Sequence, residues 1–265
     1  MATPLSVVLL DEGKYPGMAT ATVENYLKQI LLAQPVSRRT LVPLGQLAKA
    51  MNVVPGTATT MVKTLAAAGL AEYELRRGVR LTAKGERLAL NVLRRHRLIE
   101  LFLVKVLRLD WSEVHQEAEV LEHAVSEKVL DQIDKLLNFP QFDPHGDPIP
   151  AVDGSIRDRR PSSLTECQAG ARVSIVRIVD QAAPFLNFLE TNGLTPGMTV
   201  VVNNCDTLAD AMSVSPQNRT AVRLGMSAAA KILVDTAPSK AKRPSKARAT
   251  TSFSLRERTA VRGRQ

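Results

Sequence analysis

Apolar positions recur with a helical period at the start of the chain. Val23, Tyr26, Leu27, Ile30 and Leu31 lie on one face of a helix between Thr22 and Ala33, and Pro35 stops the run. A second helix is predicted from about Leu44 to Met51. A third runs from about Pro55 to Ala68, with proline in its first turn and Gly69 just past its end, as helix-end chemistry favours. Leu70–Leu75, then Arg76-Arg77-Gly78, then Val79–Leu81 read as a short hairpin. Thr82 is placed to cap a long helix through Leu107, and one further helix is predicted over about Ser112–Leu137.

Pro140, Pro144, Pro148, Pro150 and Pro161, with Gly146 and Gly154, mark a linker. Beyond it the pattern changes. Val173–Val179 reads as a strand and Pro184–Thr191 as a short helix. Gly193–Gly197 reads as a turn, and Met198–Val202, Ala221–Leu224 and Lys231–Val234 as short strands. Together they describe a small β-barrel. The tail from Thr236 is rich in Ala, Ser, Thr, Lys and Arg and is expected to be disordered. Residues 1–17 show no clear period, and Met18 is an alternative start.

Composition changes this picture mainly through charge. The 265 residues carry a formal net charge of +9. By segment it is +8 over residues 1–110, −6 over 111–165, −1 over 166–235 and +8 over 236–265. Two basic regions therefore flank an acidic middle, which suggests a polyanion such as nucleic acid at the flanks and something cationic at the centre. No run approaches the ~18 apolar residues of a membrane helix. The stretch Pro4–Leu10 lacks a basic leader, and Cys167 and Cys205 cannot build a disulfide framework. The expectation is a cytoplasmic protein with no membrane partner.

Helix, short turn, helix and hairpin is the order of a winged helix-turn-helix. The turn is Asn52-Val53-Val54, and the second helix opens with Pro55, Gly56, Thr57, Thr59 and Thr60, followed by Lys63. Small hydroxyl side chains at that end can reach base edges and phosphates when the helix enters the major groove. Arg76, Arg77 and Arg80 at the hairpin are expected on backbone phosphates. The plainer alternative is a three-helix core with a solvated turn.

All four histidines lie within residues 96–145. His96 and Glu100 are spaced i, i+4. On the next predicted helix His115, Glu119, Glu122 and His123 fall within an arc of roughly 120°, whereas Glu117 falls outside it. Imidazole and carboxylate from two helices, with no thiolate nearby, suit Mn²⁺, Fe²⁺, Co²⁺ or Zn²⁺. The rival reading is a solvated Glu/His face. Enzyme signatures are missing: there is no His-Glu-x-x-His, no Glu-x-x-His, no Gly-rich phosphate loop and no Gly-x-Ser-x-Gly elbow. A catalytic role is not expected.

The winged helix is followed by Arg95-His-Arg-Leu-Ile-Glu100, by Val114-His-Gln-Glu-Ala-Glu-Val-Leu-Glu-His123, and by Pro144-His-Gly-Asp-Pro-Ile-Pro150. With these segments the chain resembles the metal-dependent repressors of the diphtheria toxin repressor and manganese transport regulator family, over about Thr22 to Val234. The resemblance implies a primary regulatory site of Glu119, Glu122 and His123, completed by Asn25. It implies an ancillary site of His96, Glu100 and His115, with a further ligand from Asp180 or Gln181. Iron-type members carry Cys where Glu119 stands; manganese-type members carry Glu there and Asp at the position of Asn25. Lys28 stands where short manganese-type members place a second-metal Glu, so its charge is expected to neutralise Glu119 or Glu122.

The resemblance also implies a mainly α fold with a small β domain. An N-terminal extension (1–17) precedes a winged helix-turn-helix domain (18–82) and a helical metal-binding and dimerisation domain (83–140). A linker (141–165), an SH3-like, FeoA-like barrel (166–235) and a basic tail (236–265) complete it. The expected function is a homodimeric repressor of metal-homeostasis genes. It binds a palindromic double-stranded DNA operator when Mn²⁺, or alternatively Fe²⁺, is bound; Co²⁺, Ni²⁺ or Zn²⁺ are expected to substitute in vitro. The ion would hold the two recognition helices about one DNA repeat, ~34 Å, apart. The tail, Lys240–Arg264, would add sequence-independent affinity. The alternatives are a metal-independent winged-helix regulator whose barrel binds a protein or small ligand, and a His/Glu metalloenzyme.

Overall fold

The computed structural model describes residues 20–34, 40–157 and 160–236. The expectations for residues 1–17 and for the tail beyond Thr236 lie outside the described residues. Helix α1 spans Thr20–Ala33, α2 Leu44–Ala50 and α3 Pro55–Ala67. Strands β1 (Ala71–Glu74) and β2 (Gly78–Leu81) form the hairpin, and an isolated bridge joins Val42 to Val79 beside it. Gly78 sits at φ +138°, and a Cβ there would come within 2.3 Å of the Val42 carbonyl oxygen, so only glycine lets the wing close on that bridge. Val23, Leu27, Ile30, Leu47, Val62, Leu65 and Val79 form a common core, matching the apolar stripes of the sequence.

Helix α4 (Ala83–Lys105) is capped by Thr82, whose hydroxyl accepts from the Gly85 amide at 3.1 Å. It is the axis of the molecule. Its first turns pack on the DNA-binding core through Ala89, and its later turns carry Leu98, Ile99, Leu101 and Leu103 into a second core.

The single helix expected over Ser112–Leu137 is instead two, α5 (Val114–Leu121) and α6 (Glu127–Leu136). Ser126 explains the break: its side chain accepts from the Val129 amide and caps α6, with Glu127 favourable in the first turn. The two helices are close enough in phase to read as one period, so the interruption was invisible to the pattern.

The segment expected as a linker also differs. Residues 141–150 form a tight, buried turn with a bridge between Phe142 and Pro148. Prolines leave carbonyls there without neighbouring amides, and two buried arginines of α4 satisfy them: Arg94 donates to Pro150 O at 2.8 Å and Arg97 to Pro148 O at 2.6 Å.

The C-terminal unit is a six-stranded antiparallel sheet ordered β3–β8–β4–β5–β6–β7. Its strands are β3 (Ser162–Ser163), β4 (Arg172–Ile178), β5 (Thr199–Asp206), β6 (Ala211–Pro216), β7 (Val222–Gly225) and β8 (Ile232–Thr236). Helix α7 (Ala183–Thr191) and the short α8 (Met226–Ala229) complete it. Strand β6 was not anticipated, because Ser213 and Ser215 dilute its alternation; Met212 and Val214 nevertheless point into the core. Register shifts in β4 and β5 curve the sheet around Ile175, Val202 and Leu224. Trp111, from the loop before α5, inserts into this core, so the helical and sheet units share a packed boundary. Among the described residues no helix is long and apolar enough to cross a membrane.

Candidate metal centre

Helices α1, α4 and α5 bring polar faces together. From α4 come His96 and Glu100, one turn apart and both buried. From α5 come His115 and Glu119, with Glu122 at its C-cap and His123 in the following turn. From α1 come Glu24, Asn25 and Lys28.

His96, Glu100 and His115 converge. His96 Nε2 lies 2.9 Å from Glu100 Oε1 and 3.1 Å from His115 Nδ1, and His115 Nδ1 lies 3.1 Å from Glu100 Oε1. Around a cation with bonds of ~2.1 Å, adjacent donors in an octahedron stand about 3.0 Å apart. The triangle therefore has the size such an ion requires. His115 is half exposed, so the centre is reachable from a cavity of about 260 Å³ lined by Lys28, His96, Glu119, Asp143 and Gln181 among others.

The set Glu119, Glu122, His123 and Asn25 is assembled differently. Lys28 Nζ donates to Glu119 Oε1 at 2.8 Å and to Glu122 Oε1 at 2.5 Å. Lys28 is only 2% exposed and Glu122 fully buried, so the ammonium fills the space between the carboxylates. The structure thus has Lys28 bonding both glutamates, where neutralisation of one was expected. His123 turns towards α1: Nε2 is 2.9 Å from Asn25 Oδ1, and Nδ1 is 2.6 Å from Glu24 Oε2. The Lys28 ammonium thus takes the place between the two carboxylates, while Glu119 and Glu122 also lie with His96 in a group whose ligand atoms are within 4.8 Å of one another. Glu24 was missed from the sequence, and only its place beside Asn25 pointed to it.

The charges of this face are mutually dependent. Burial pushes the His96 imidazole down, but hydrogen bonds to Glu100 and Glu122, with the Glu100 charge, lift its pKa to about 9. Its Nδ1 is 2.6 Å from Glu122 Oε2, so protonated His96 donates to a carboxylate at each nitrogen. Burial pushes Glu100 up, yet bonds to His115 and His96 hold it well below the usual carboxylate range. Glu122 is likewise lowered, its burial outweighed by His96 and Lys28.

The expected contribution of the sheet unit divides. Gln181 borders the cavity and donates from Nε2 to Asp147 Oδ2 at 2.9 Å. Asp180 is not brought to the cluster: it pairs with Lys231 at 2.7 Å and accepts from the Ala182 amide just ahead of α7. His145, omitted from the sequence-derived ligand set although its segment stood out, lies fully buried on the far side of Glu100.

At the other end of the molecule Pro55, Gly56, Thr57, Thr60 and Lys63 are exposed on α3, with Thr59 half-buried. Thr59 and Thr60 donate back to the carbonyls of Pro55 and Gly56 at 2.8 and 3.1 Å. Arg76 is exposed at the hairpin tip with φ +62°. Arg77 and Arg80 are paired with Glu74 and Glu72, the second pair directly across the β1–β2 ladder.

The fold and this geometry have close counterparts. Residues 18–79 match the model of the iron dependent repressor N-terminal DNA binding domain, and residues 82–151 that of its metal binding and dimerisation domain. Residues 162–236 match the FeoA domain. An iron-dependent repressor IdeR of Mycobacterium leprae is 32% identical over 194 residues, 68% of this chain and 83% of that protein. An HTH-type transcriptional regulator MntR of Lysinibacillus sphaericus is 32% identical over 127 residues, 48% of this chain and 89% of that protein. A solved manganese-dependent transcriptional repressor in complex with manganese is 38% identical, covering 81% of this chain and all of its own, with a TM-score of 0.73.

Proposed function

The chain belongs to the iron-dependent repressor family, and we propose that it is a metal-dependent transcriptional repressor acting on palindromic DNA as a homodimer. The observation that carries this reading is the His96–Glu100–His115 triangle, set on the two helices that link the DNA-binding unit to the sheet unit. Those three residues would hold the ion. When bound, it supplies positive charge that ties α5 to α4. Mn²⁺ or Fe²⁺ suits a nitrogen and oxygen donor set without thiolate, and two of the relatives named above are an iron-dependent and a manganese-dependent repressor.

The chain's own residues do the rest. Lys28, reaching from α1 to Glu119 and Glu122, clasps the DNA-binding unit to α5. Asn25 and Glu24 brace the same junction through His123. Pro55, Gly56, Thr57, Thr60 and Lys63 at the start of α3 face the duplex, and Arg76 reaches the backbone from the wing. Catalysis has no part in this reading.

Selection from a random duplex library with Mn²⁺ present, followed by binding assays on the recovered sequence, tests it. Binding is expected to fall by an order of magnitude or more with chelator, and to be lost in His96→Ala/Glu100→Ala. Affinity indifferent to Mn²⁺, Fe²⁺ and chelator would refute metal control. That outcome would favour a metal-independent regulator, for which the supporting observation is the Lys28 clasp, a cation of the chain's own between Glu119 and Glu122.

A further inference from the structure

We propose that His145, Asp143 and the second oxygen of Glu100 form a second divalent-cation position, with Glu100 bridging it to the His96–His115 centre. The proposal rests on the reading above for that first centre.

The tautomer of His145 is dictated by its surroundings. Its Nε2 lies 3.0 Å from the carbonyl oxygen of Trp111, which can only accept, so Nε2 carries a hydrogen. Nδ1 is then the ring nitrogen left to take an ion. That atom is buried and has no hydrogen-bond partner, and it faces Glu100 Oε2 at 3.9 Å. A buried polar atom without a partner costs stability, and a cation between Nδ1 and the Glu100 carboxylate would supply that partner.

Asp143 presents the same signature. Its Oδ1 accepts from the amides of His145 and Asp147 at 2.8 and 2.9 Å, while Oδ2 is buried without a hydrogen bond. Arg97 Nε stands 3.6 Å from Oδ2, near enough to temper its charge. Ligand atoms of Glu100, Asp143 and His145 lie within 4.8 Å of one another. Donors on an ion with bonds of ~2.1 Å stand about 3.0 Å apart when adjacent and about 4.2 Å when opposite, so the three groups have to draw in by up to about 1–2 Å around the ion. Glu100 Oε1 already faces His96 and His115, leaving Oε2 for this side.

The site is also rigid. A metal-bound imidazole characteristically gives its other N–H to a carboxylate or backbone carbonyl, as His145 does to Trp111. The indole stacks on the imidazole at 5.5 Å with 22° between planes. Gly146, at φ +87°, lies so close to β4 that a Cβ would meet Val176 O at 1.9 Å, and the Ile178 amide donates to His145 O at 2.8 Å. A nitrogen and two carboxylate oxygens take Mn²⁺, Fe²⁺ or Zn²⁺ rather than a thiophilic ion.

The experiment is metal counting on the full chain equilibrated with Mn²⁺, by elemental analysis and electron paramagnetic resonance, with His145→Phe and Asp143→Asn alongside. Phenylalanine keeps the stack on Trp111 and removes the ligand. Two ions per protomer with a spin-coupled manganese signal are expected in the unaltered chain, and one ion with an uncoupled signal in each variant. In crystals soaked with Mn²⁺, an anomalous peak bonded to His145 Nδ1 is expected, which requires no variant to fold. A second ion that persists in His145→Phe, or a soaked crystal with manganese at His96 and none at His145, would overturn this proposal alone. No bound ion at all would overturn both it and the first centre.

Discussion

The ammonium of Lys28 on α1 lies 2.5 Å from Oε1 of Glu122 at the end of α5, and both side chains are buried. Ninety-four residues separate them in the sequence. This pair makes the contact between the DNA-binding unit and the metal-bearing helices a matter of the chain's own charge. Removing one partner of such a buried pair typically costs about 3–5 kcal/mol, since the other is left uncompensated. Lys28→Met should therefore lower the melting temperature of the metal-free protein strongly. Added Mn²⁺ should recover part of the loss by taking the place of the ammonium between Glu119 and Glu122. Calorimetric melts with and without Mn²⁺ check both parts; a variant as stable as the parent would show that the clasp contributes nothing.

His96 sets the pH dependence. Its pKa is raised from an ordinary 6.5 to about 9 in the folded, metal-free protein. A raised basic group stabilises fully below its unfolded value and loses that contribution as pH climbs through the folded one. The metal-free protein should thus lose stability between pH 6.5 and 9. Divalent ions compete with the same proton, so their affinity should rise over that window, with about one proton released per ion bound near neutral pH. Titration calorimetry in buffers of different ionisation enthalpy measures the proton count.

Gly146 is where the buried turn meets the sheet unit. Gly146→Ala places a Cβ against the Val176 carbonyl and holds an L residue at positive φ. Strain of this kind costs on the order of 1–3 kcal/mol before the clash is counted. Faster proteolysis between residues 140 and 165 and a lower melting temperature are expected, with DNA-binding residues untouched; unchanged protease resistance would contradict it.

On the DNA side the arginines of the wing are not equivalent. Arg76→Ala and Lys63→Ala should each reduce binding on every sequence alike and lower the salt slope by about one. Arg80→Ala should cost less, because Arg80 is already paired with Glu72 across the hairpin. Glu72→Gln should tighten binding by releasing it. Anisotropy titrations across a salt series separate these effects.

Much of the fold was legible in local chemistry. The stripe Val23–Tyr26–Leu27–Ile30, the Thr82 cap and the Gly69 stop are rules of a single turn of helix, and the structure obeys each within a residue or two. The donor triangle was legible for a related reason: i, i+4 spacing puts His96 and Glu100 on one face whatever else the chain does. The break at Ser126 was not legible, because a cap inside a continuous apolar period decides the outcome by a small margin. Strand β6 hid behind its serines.

What the sequence determined by itself was the inventory and its faces: which segments are helix or strand, which side each buries, and that imidazoles and carboxylates share one side of two helices. Tertiary structure decided which of those groups meet. Lys28 joining Glu119 and Glu122, His123 turning to Glu24, Asp180 withdrawing to Lys231 and His145 closing behind Glu100 all join residues far apart in the chain. Helical periodicity cannot foresee such encounters, because they depend on how α1, α4 and the sheet unit pack. That packing removes water, and in its absence each buried charge must find its partner among whatever groups the fold has brought near.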